Sequence, residues 1–296
     1  MHSRPRLLRA LVLLATLALS SAALAADWKV TTWNLEWFPA GAPDVRDAQV
    51  EAKRTKEAAE VLRALDPDIV LLQEVRDEAA VEALAKEIGR GHQVVVVSRF
   101  RYGDELSQHQ QAILAKFPAR AAFWKEWTTR QAVTPVRGYA FALFASPSGA
   151  PVAVYSLHLK SNSISRNTKD RERAATLNVL QRELAALQLV EHLGDISKDP
   201  QLTPAAAIVG GDFNTDPFQK RFAKERTIPA LEALGFTNPI TRLPKEDRAT
   251  LPGSGQYPPA SFDHVLLLKA EAVADPVVTK NDVSDHRPVT VTVRVP

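Results

Sequence analysis

Five apolar runs of strand length each carry, at one end, side chains able to do chemistry. They are TTWNLEW (31–37), LLQEV (71–75), YSLHLKS (155–161), IVGGDFN (208–214) and FDHVLL (262–267), and a sixth motif, SDHRPV (284–289), leads into a last apolar run. A strand gains by burying apolar side chains and loses when it buries an unpaired polar one. Polar groups gathered where strands stop are therefore placed for use, on a rigid sheet with loops giving access. Side chains at i and i+2 of an extended segment share a face. That spacing predicts that Asp212 and Asn214 point together into a cleft, and likewise His158 with Lys160 and Asn34 with Glu36. It turns Phe213 inward as an anchor, while Gly210 and Gly211 let the backbone bend or a ligand come close.

Between these runs the periodicity changes to helical. Residues 47–66, 77–89 and 169–193 read as helices, the first ended by Pro67 and the second by Gly89. PALEALGF (229–236) is a short one. QVVVVS, QQAILAKF, RAAFWKEW, YAFALFAS and VAVYSLHL follow one another as strands, and AVADPVVT and PVTVTVRV close the chain. Residues 237–261 form a Pro/Gly-rich loop long enough to imply function or mobility. Helices alternating with this many strands exceed what a simple doubly wound sheet needs. Two packed sheets with helices outside fit better, as one α/β domain over 27–296.

Residues 1–26 have the character of a secretory signal peptide. Arg4, Arg6 and Arg9 precede the apolar LVLLATLALSSAALA, and Ala23-Leu24-Ala25 fits the small-x-small cleavage pattern. The apolar stretch is shorter than a stable span of about 20 residues, so the expectation is a secreted or periplasmic protein without stable membrane insertion. Removing the segment takes three of the 37 Lys and Arg and none of the 34 Asp and Glu, which leaves 34 of each. No global basic field then argues for nucleic acid, though a local basic groove is compatible with neutrality. The chain has no cysteine, which excludes disulfides, thiol catalysis and thiolate zinc sites.

Glu74, Asp212, Asp285 and Asn34 are hard oxygen donors of the kind Mg²⁺ takes together with water and phosphate; Mn²⁺ and Ca²⁺ also fit. An ion there would neutralise phosphate charge, and histidine adds acid–base capacity or a hydrogen bond to phosphate. His286 needs an orienting carboxylate. Adjacent Asp285 faces the wrong way in an extended segment, so Asp263, on a strand lying beside the last one, is the better partner, and His264 then points away. Singly, each group has a plain structural reading, since a strand-end Asp is most often a cap or turn residue. Jointly they make a metal pocket and a His dyad.

The ordered set WNLEW, QEV, SLHLKS, GGDFN, FDHVLL and SDHRPV resembles the endonuclease/exonuclease/phosphatase superfamily, from about residue 28 to 295. The resemblance implies a four-layer α/β sandwich and Mg²⁺-dependent phosphoester hydrolysis. By motif, it makes Glu74 the metal ligand with Asn34 beside it and Asp285 near the metal or its waters. It gives Asp212 and Asn214 the attacking water, and His158 and His286 the scissile phosphate, with Asp263 supporting His286. Lys160 lies where phosphate contact is expected, and His109 or Gln110 occupies the place where abasic-site enzymes offer a tyrosine.

The expected partner is a phosphodiester, with nucleic acid first, and the expected state a monomer. Arg99, Arg101 and Tyr102, in SRFRYGDELSQHQQ (98–111), offer phosphate contact and stacking. A phospholipid substrate, as in sphingomyelinases, would want an exposed apolar hairpin, for which only AAFWKEW with Trp124 and Trp127 offers itself. An inositol-phosphate phosphoesterase and an exported non-catalytic binding protein of the same fold are the other readings.

Overall fold

The computed structural model describes residues 26–255 and 257–296. Residues 1–25 of the expected signal peptide lie outside them, and no helix among the described residues is long and apolar enough to cross a membrane. The strands are β1 (Ala26–Phe38), β2 (Ile69–Val75), β3 (Gln93–Val97), β4 (Arg101–Tyr102), β5 (Glu105–Leu106), β6 (Gln110–Ala115), β7 (Ala119–Glu126), β8 (Gly138–Ala145), β9 (Pro151–His158), β10 (Ala206–Asp212), β11 (Asp263–Leu268), β12 (Glu271–Ala272), β13 (Val277–Val278) and β14 (Val289–Val295). The helices are α1 (Ala48–Leu65), α2 (Glu78–Ile88), α3 (Arg171–Ile196) and α4 (Thr227–Glu232).

Two mixed sheets result. One runs β12-β14-β1-β2-β6-β3, with β13 also on β14; the other runs β11-β10-β9-β8-β7. Three apolar clusters define the layers. Val30, Leu71, Ile113, Val154, Ile208 and Leu267 fill the space between the sheets. Trp33, Leu62, Leu72 and Leu84 join the first sheet to α1 and α2. Tyr155, Leu189, Val209 and Leu231 join the second sheet to α3 and α4. The order is helices, sheet, sheet, helices: a four-layer α/β sandwich.

The helices start and stop for local reasons. Asp47, Asp77 and Asp170 each accept backbone N–H groups as N-caps. Gly89 closes α2 with a positive φ that costs glycine little. Where AVADPVVT (272–279) was expected as one strand, only the two-residue strands β12 and β13 form, because Asp275-Pro276 interrupts the ladder. The loop 237–261 is not structureless. It holds two short 3₁₀ turns and is pinned by bridges Thr237↔Leu267 and Leu251↔Ala260.

Topology sets where chemistry can sit. β1 and β2 run parallel, as do β9 and β10, so Asn34, Glu74, His158 and Asp212 all come at one end of the sandwich. The antiparallel strands β11 and β14 begin at that end, at Asp263 and just after His286.

Candidate active site

The inner faces of both sheets turn from apolar to polar toward this end. Along β1 the inward series is Val30, Thr32, Asn34; along β9 it is Val154, Ser156, His158; along β10 it is Ile208, Gly210, Asp212. Register makes His158 and Asp263 the direct neighbours of Asp212. Below them Gln73 ties the sheets together, donating to Thr32 Oγ1 (3.2 Å) and to Ser156 Oγ (3.0 Å).

Glu74 should face outward by the same alternation. It does not, because the β2–β6 register shifts between Gln73 and Val75 and Glu74 sits at φ 57°. This bulge swings its carboxylate into the site, a use bulges often have. A second irregularity, in β1, separates two residues expected to share a face. Glu36 and Trp37 have φ of 45° and 50°, so Asn34 turns inward while Glu36 reaches outward to accept the Asp285 backbone N–H (3.2 Å).

Asp212 is the centre of the polar cluster and is 1% exposed. Its Oδ2 accepts from Asn34 Nδ2 (3.1 Å) and Asn214 Nδ2 (3.0 Å), and its Oδ1 from the Asn214 backbone N–H (2.8 Å). Asn34 also donates to Glu74 Oε1 (3.1 Å) and so bridges the two carboxylates. His158 Nε2 stands 3.5 Å from Asp212 Oδ2 and 3.8 Å from Glu74 Oε1, and His286 Nε2 stands 3.9 Å from Asp212 Oδ2. His286 Nδ1 and Asp263 Oδ2 are 2.8 Å apart. That contact joins two sheets; β11 does not lie beside β14, as the sequence suggested, but faces it. His264 turns away, against Asn238 (3.2 Å) and the Thr215 carbonyl (3.2 Å).

The SDH loop is latched to β1. Trp33 Nε1 donates to the His286 carbonyl (3.1 Å), and Ser284 Oγ donates to the Asn34 carbonyl (2.7 Å). Asp285 is exposed, and its backbone N–H contacts Glu36. Two sets among the described residues bring ligand atoms within 4.8 Å of one another: Glu74 with His109 and His158, and Asp212 with Asp263 and His286. Asp285 belongs to neither, so the expected ligand set Glu74, Asn34 and Asp285 is only partly gathered.

Electrostatics separates the groups. Burial opposes a charge on His286, but the carboxylates of Asp263 and Asp212 outweigh it and hold the imidazole up to about 10. Burial pushes His158 well below the ordinary histidine value, helped by the Arg137 guanidinium, so it is neutral at pH 7. Burial raises Asp212 to about 7; the charge on His286 opposes this and that on Asp263 adds to it. Glu36 is raised by partial burial and then by Asp285; Asp285, although its side chain is largely exposed, is raised by partial desolvation of its carboxylate, with Glu74 adding to this. Arg54, 3.8 Å from Glu36, and charged His286 balance only part of this crowd of carboxylates; a divalent ion relieves the rest, and the donors are oxygens and imidazoles. The site fits such an ion.

Other expected residues stand apart. Lys160 lies beyond the end of β9, where alternation no longer applies, and its ammonium turns back to the Ser161 carbonyl (3.0 Å). Arg99 is exposed outside the cluster, the Arg101 guanidinium bonds the Asp104 carbonyl of its own β4–β5 hairpin, and Tyr102 is 85% exposed. Three other groups lie close instead: His109, which the resemblance offered for the tyrosine's place, and Trp37 and Arg137, which no expectation named. His109 Nε2 is 4.0 Å from Glu74 Oε2, its ring stacks over His158 at 5.8 Å, and Trp37 meets it edge-on at 4.1 Å. Arg137 donates to the carbonyls of His158 (2.9 Å) and Leu159 (2.8 Å) and so clamps the end of β9. No strand-end motif marks Arg137; its only signal is an arginine just before an apolar strand.

The comparisons agree with this fold. No curated protein matches the chain significantly. Among solved structures, the chain is similar to an endonuclease/exonuclease/phosphatase from Beutenbergia cavernae DSM 12333, with 17% identity, TM-score 0.62 and coverage of 91% of this chain and 72% of that one. It is similar to humanized D. rerio TDP2 (20% identity, TM-score 0.58, 91% and 99% covered) and to the human Nocturnin catalytic domain (16% identity, TM-score 0.59, 90% and 94% covered). At these identities the likeness concerns the fold. The sequence model of the Endonuclease/Exonuclease/phosphatase family matches residues 31–286, and the chain belongs to that family.

Proposed function

We propose that this protein is an exported Mg²⁺-dependent phosphodiesterase that cuts nucleic acid. The family and fold support a metal-dependent phosphoester hydrolase in general. The observation that carries the finer reading is the convergence of Asp212 with a neutral imidazole, His158, and a charged one, His286, within 3.9 Å.

Glu74, with Asn34 beside it and Asp285 near the ion's waters, would hold the ion, which supplies neutralisation of phosphate charge when bound. The remaining steps belong to the chain's own groups. Asp212 takes the proton of the attacking water, and a carboxylate raised to about 7 is suited to that near neutral pH. Asn34 and Asn214 both donate to its Oδ2, and the Asn214 backbone N–H donates to its Oδ1, which holds the carboxylate in one orientation. His286, kept protonated by Asp263, donates to a phosphoryl oxygen, and His158 adds a neutral donor on the other side.

Packing speaks against the lipid alternative. Trp127 is 4% exposed and packs on Tyr139, and half-buried Trp124 lies edge-on to Phe100, so neither tryptophan is presented whole to a membrane. The signal-like residues 1–26 motivate the secreted or periplasmic placement, and a monomer is the simplest state. The test is hydrolysis of bis(p-nitrophenyl) phosphate by EDTA-treated protein resupplied with Mg²⁺, Mn²⁺ or Ca²⁺, followed by plasmid DNA, RNA, sphingomyelin and inositol phosphates. Metal-dependent diester cleavage with plasmid nicking is expected. Absence of metal-dependent hydrolysis on every substrate overturns the proposal, and choline-phosphate release redirects it to lipid.

A further inference from the structure

A groove of about 1250 Å³ lies next to the polar cluster along the chain. Arg287, which follows His286, lines it, as do Ser261, two residues before Asp263, and Asp216, two after Asn214. Of the six motif runs only SDHRPV reaches this groove, through Arg287, and the catalytic groups do not use it.

Its lining has a definite chemistry. Six basic side chains face it: Lys220, Arg221, Lys245, Arg248, Lys280 and Arg287. Of its acidic residues, Asp216 is buried and already accepts from Phe218 N–H (2.9 Å), Ser261 N–H (2.9 Å) and Gln219 Nε2 (2.8 Å). Glu246 and Asp247 are exposed. Beyond residue 26 the chain is neutral as a whole, so this is a local excess of positive charge. Two guanidinium groups are fixed in place: Arg248 donates to the carbonyls of Leu243 (2.7 Å) and Thr241 (2.9 Å), and Arg287 to that of Ala249 (3.1 Å). Arg248 also lies 4.5 Å over the ring of Phe218, which remains 37% exposed.

Basic side chains along a groove, with an aromatic ring and a stacked guanidinium among them, suit a backbone of repeated phosphates whose bases are free to stack. A duplex keeps its bases paired and gains nothing from the ring. A lipid headgroup or an inositol phosphate has no second planar group to place there. We infer that this groove holds a single-stranded polynucleotide flank of the scissile phosphate, with Phe218 and Arg248 as a stacking platform and the lysines as phosphate contacts. The inference rests on the phosphodiesterase reading and narrows its substrate.

The two readings fail separately. Hydrolysis of bis(p-nitrophenyl) phosphate by the unaltered protein tests the reaction alone. The groove is tested by binding, with fluorescence anisotropy of a labelled 20-residue thymidine strand and of a duplex of the same length, on full-length Asp212→Asn protein over a salt series. Two further proteins carry Phe218→Ala, or Lys245→Ala with Lys280→Ala, in the same background; all three are checked by circular dichroism and thermal melting. Single-strand affinity is expected to fall about tenfold with Phe218→Ala. The slope of log affinity against log salt is expected to shrink by about 1.4 with the lysine pair, at about 0.7 per single-strand phosphate. Unchanged affinity and slope in both variants overturn the inference, as does duplex binding as tight as single-strand binding.

Discussion

Asp212 is a carboxylate that the fold buries against its own preference for water, raising it to about 7 from 3.8. Asp212→Asn removes that penalty while leaving an amide oxygen to accept from Asn34 and Asn214. Diester turnover is therefore expected to fall by about 10²–10⁴, while the metal-free protein melts no lower than the parent at pH 8, a pairing that differential scanning calorimetry and a rate assay check together. Asp263→Asn acts on its partner. His286 should then titrate well below 10, which NMR of the ring protons reads directly. A raised folded value stabilises below the unfolded 6.5 and loses that contribution as pH rises through about 10. Removing Asp263 should therefore flatten stability over that alkaline window. At this scale the sequence was most legible where a side chain follows strand alternation, as in His158, Asp212, Asp263 and the averted His264. It was least legible at Glu74 and Glu36, where backbone at positive φ overrides the alternation. Arg137 was invisible because its role is a pair of carbonyl contacts made after folding.

Elements explain why two glycines precede Asp212. A Cβ on Gly211, at φ 154°, would lie 2.0 Å from the Leu157 carbonyl oxygen, a clash with backbone that cannot move without breaking the β9–β10 ladder. A Cβ on Gly210 would meet Leu71 Cδ1 at 2.5 Å, the end of a side chain that can rotate. Gly210 thus lets the two sheets close rather than admitting a ligand. Gly211→Ala is expected to cost several kcal/mol and Gly210→Ala about 1–3 kcal/mol, an order that urea denaturation of the two variants checks. Strand and helix existence was readable from periodicity. The assignment of strands to sheets was not, because β1 with β14 and β10 with β11 are long-range choices made by packing between layers.

For the molecule as a whole, the alternation of helices with many strands sufficed for a sandwich of two sheets, and the third dimension was needed for strand assignment and for how its end is furnished. A titration belongs to this scale because it samples a whole layer. His192, on α3, lies among Phe123, Tyr139, Phe141 and Tyr155, and burial with some help from Lys125 holds it down to about 4 from 6.5. The unfolded chain binds the extra proton between those values, so stability falls as pH drops from 6.5 toward 4. Urea midpoints across that range should decline less steeply in His192→Gln than in the parent.

The pairing of Thr32 with Val289 and of Trp28 with Val293 also bears on how the protein comes into being. These contacts join segments more than 250 residues apart in sequence, so a long loop must close before this ladder exists. A nascent or truncated product stopping short of residue 284 has neither the strand that completes this ladder nor His286. Hydrolysis by the proposed site therefore requires residues 284–295 to be docked on β1.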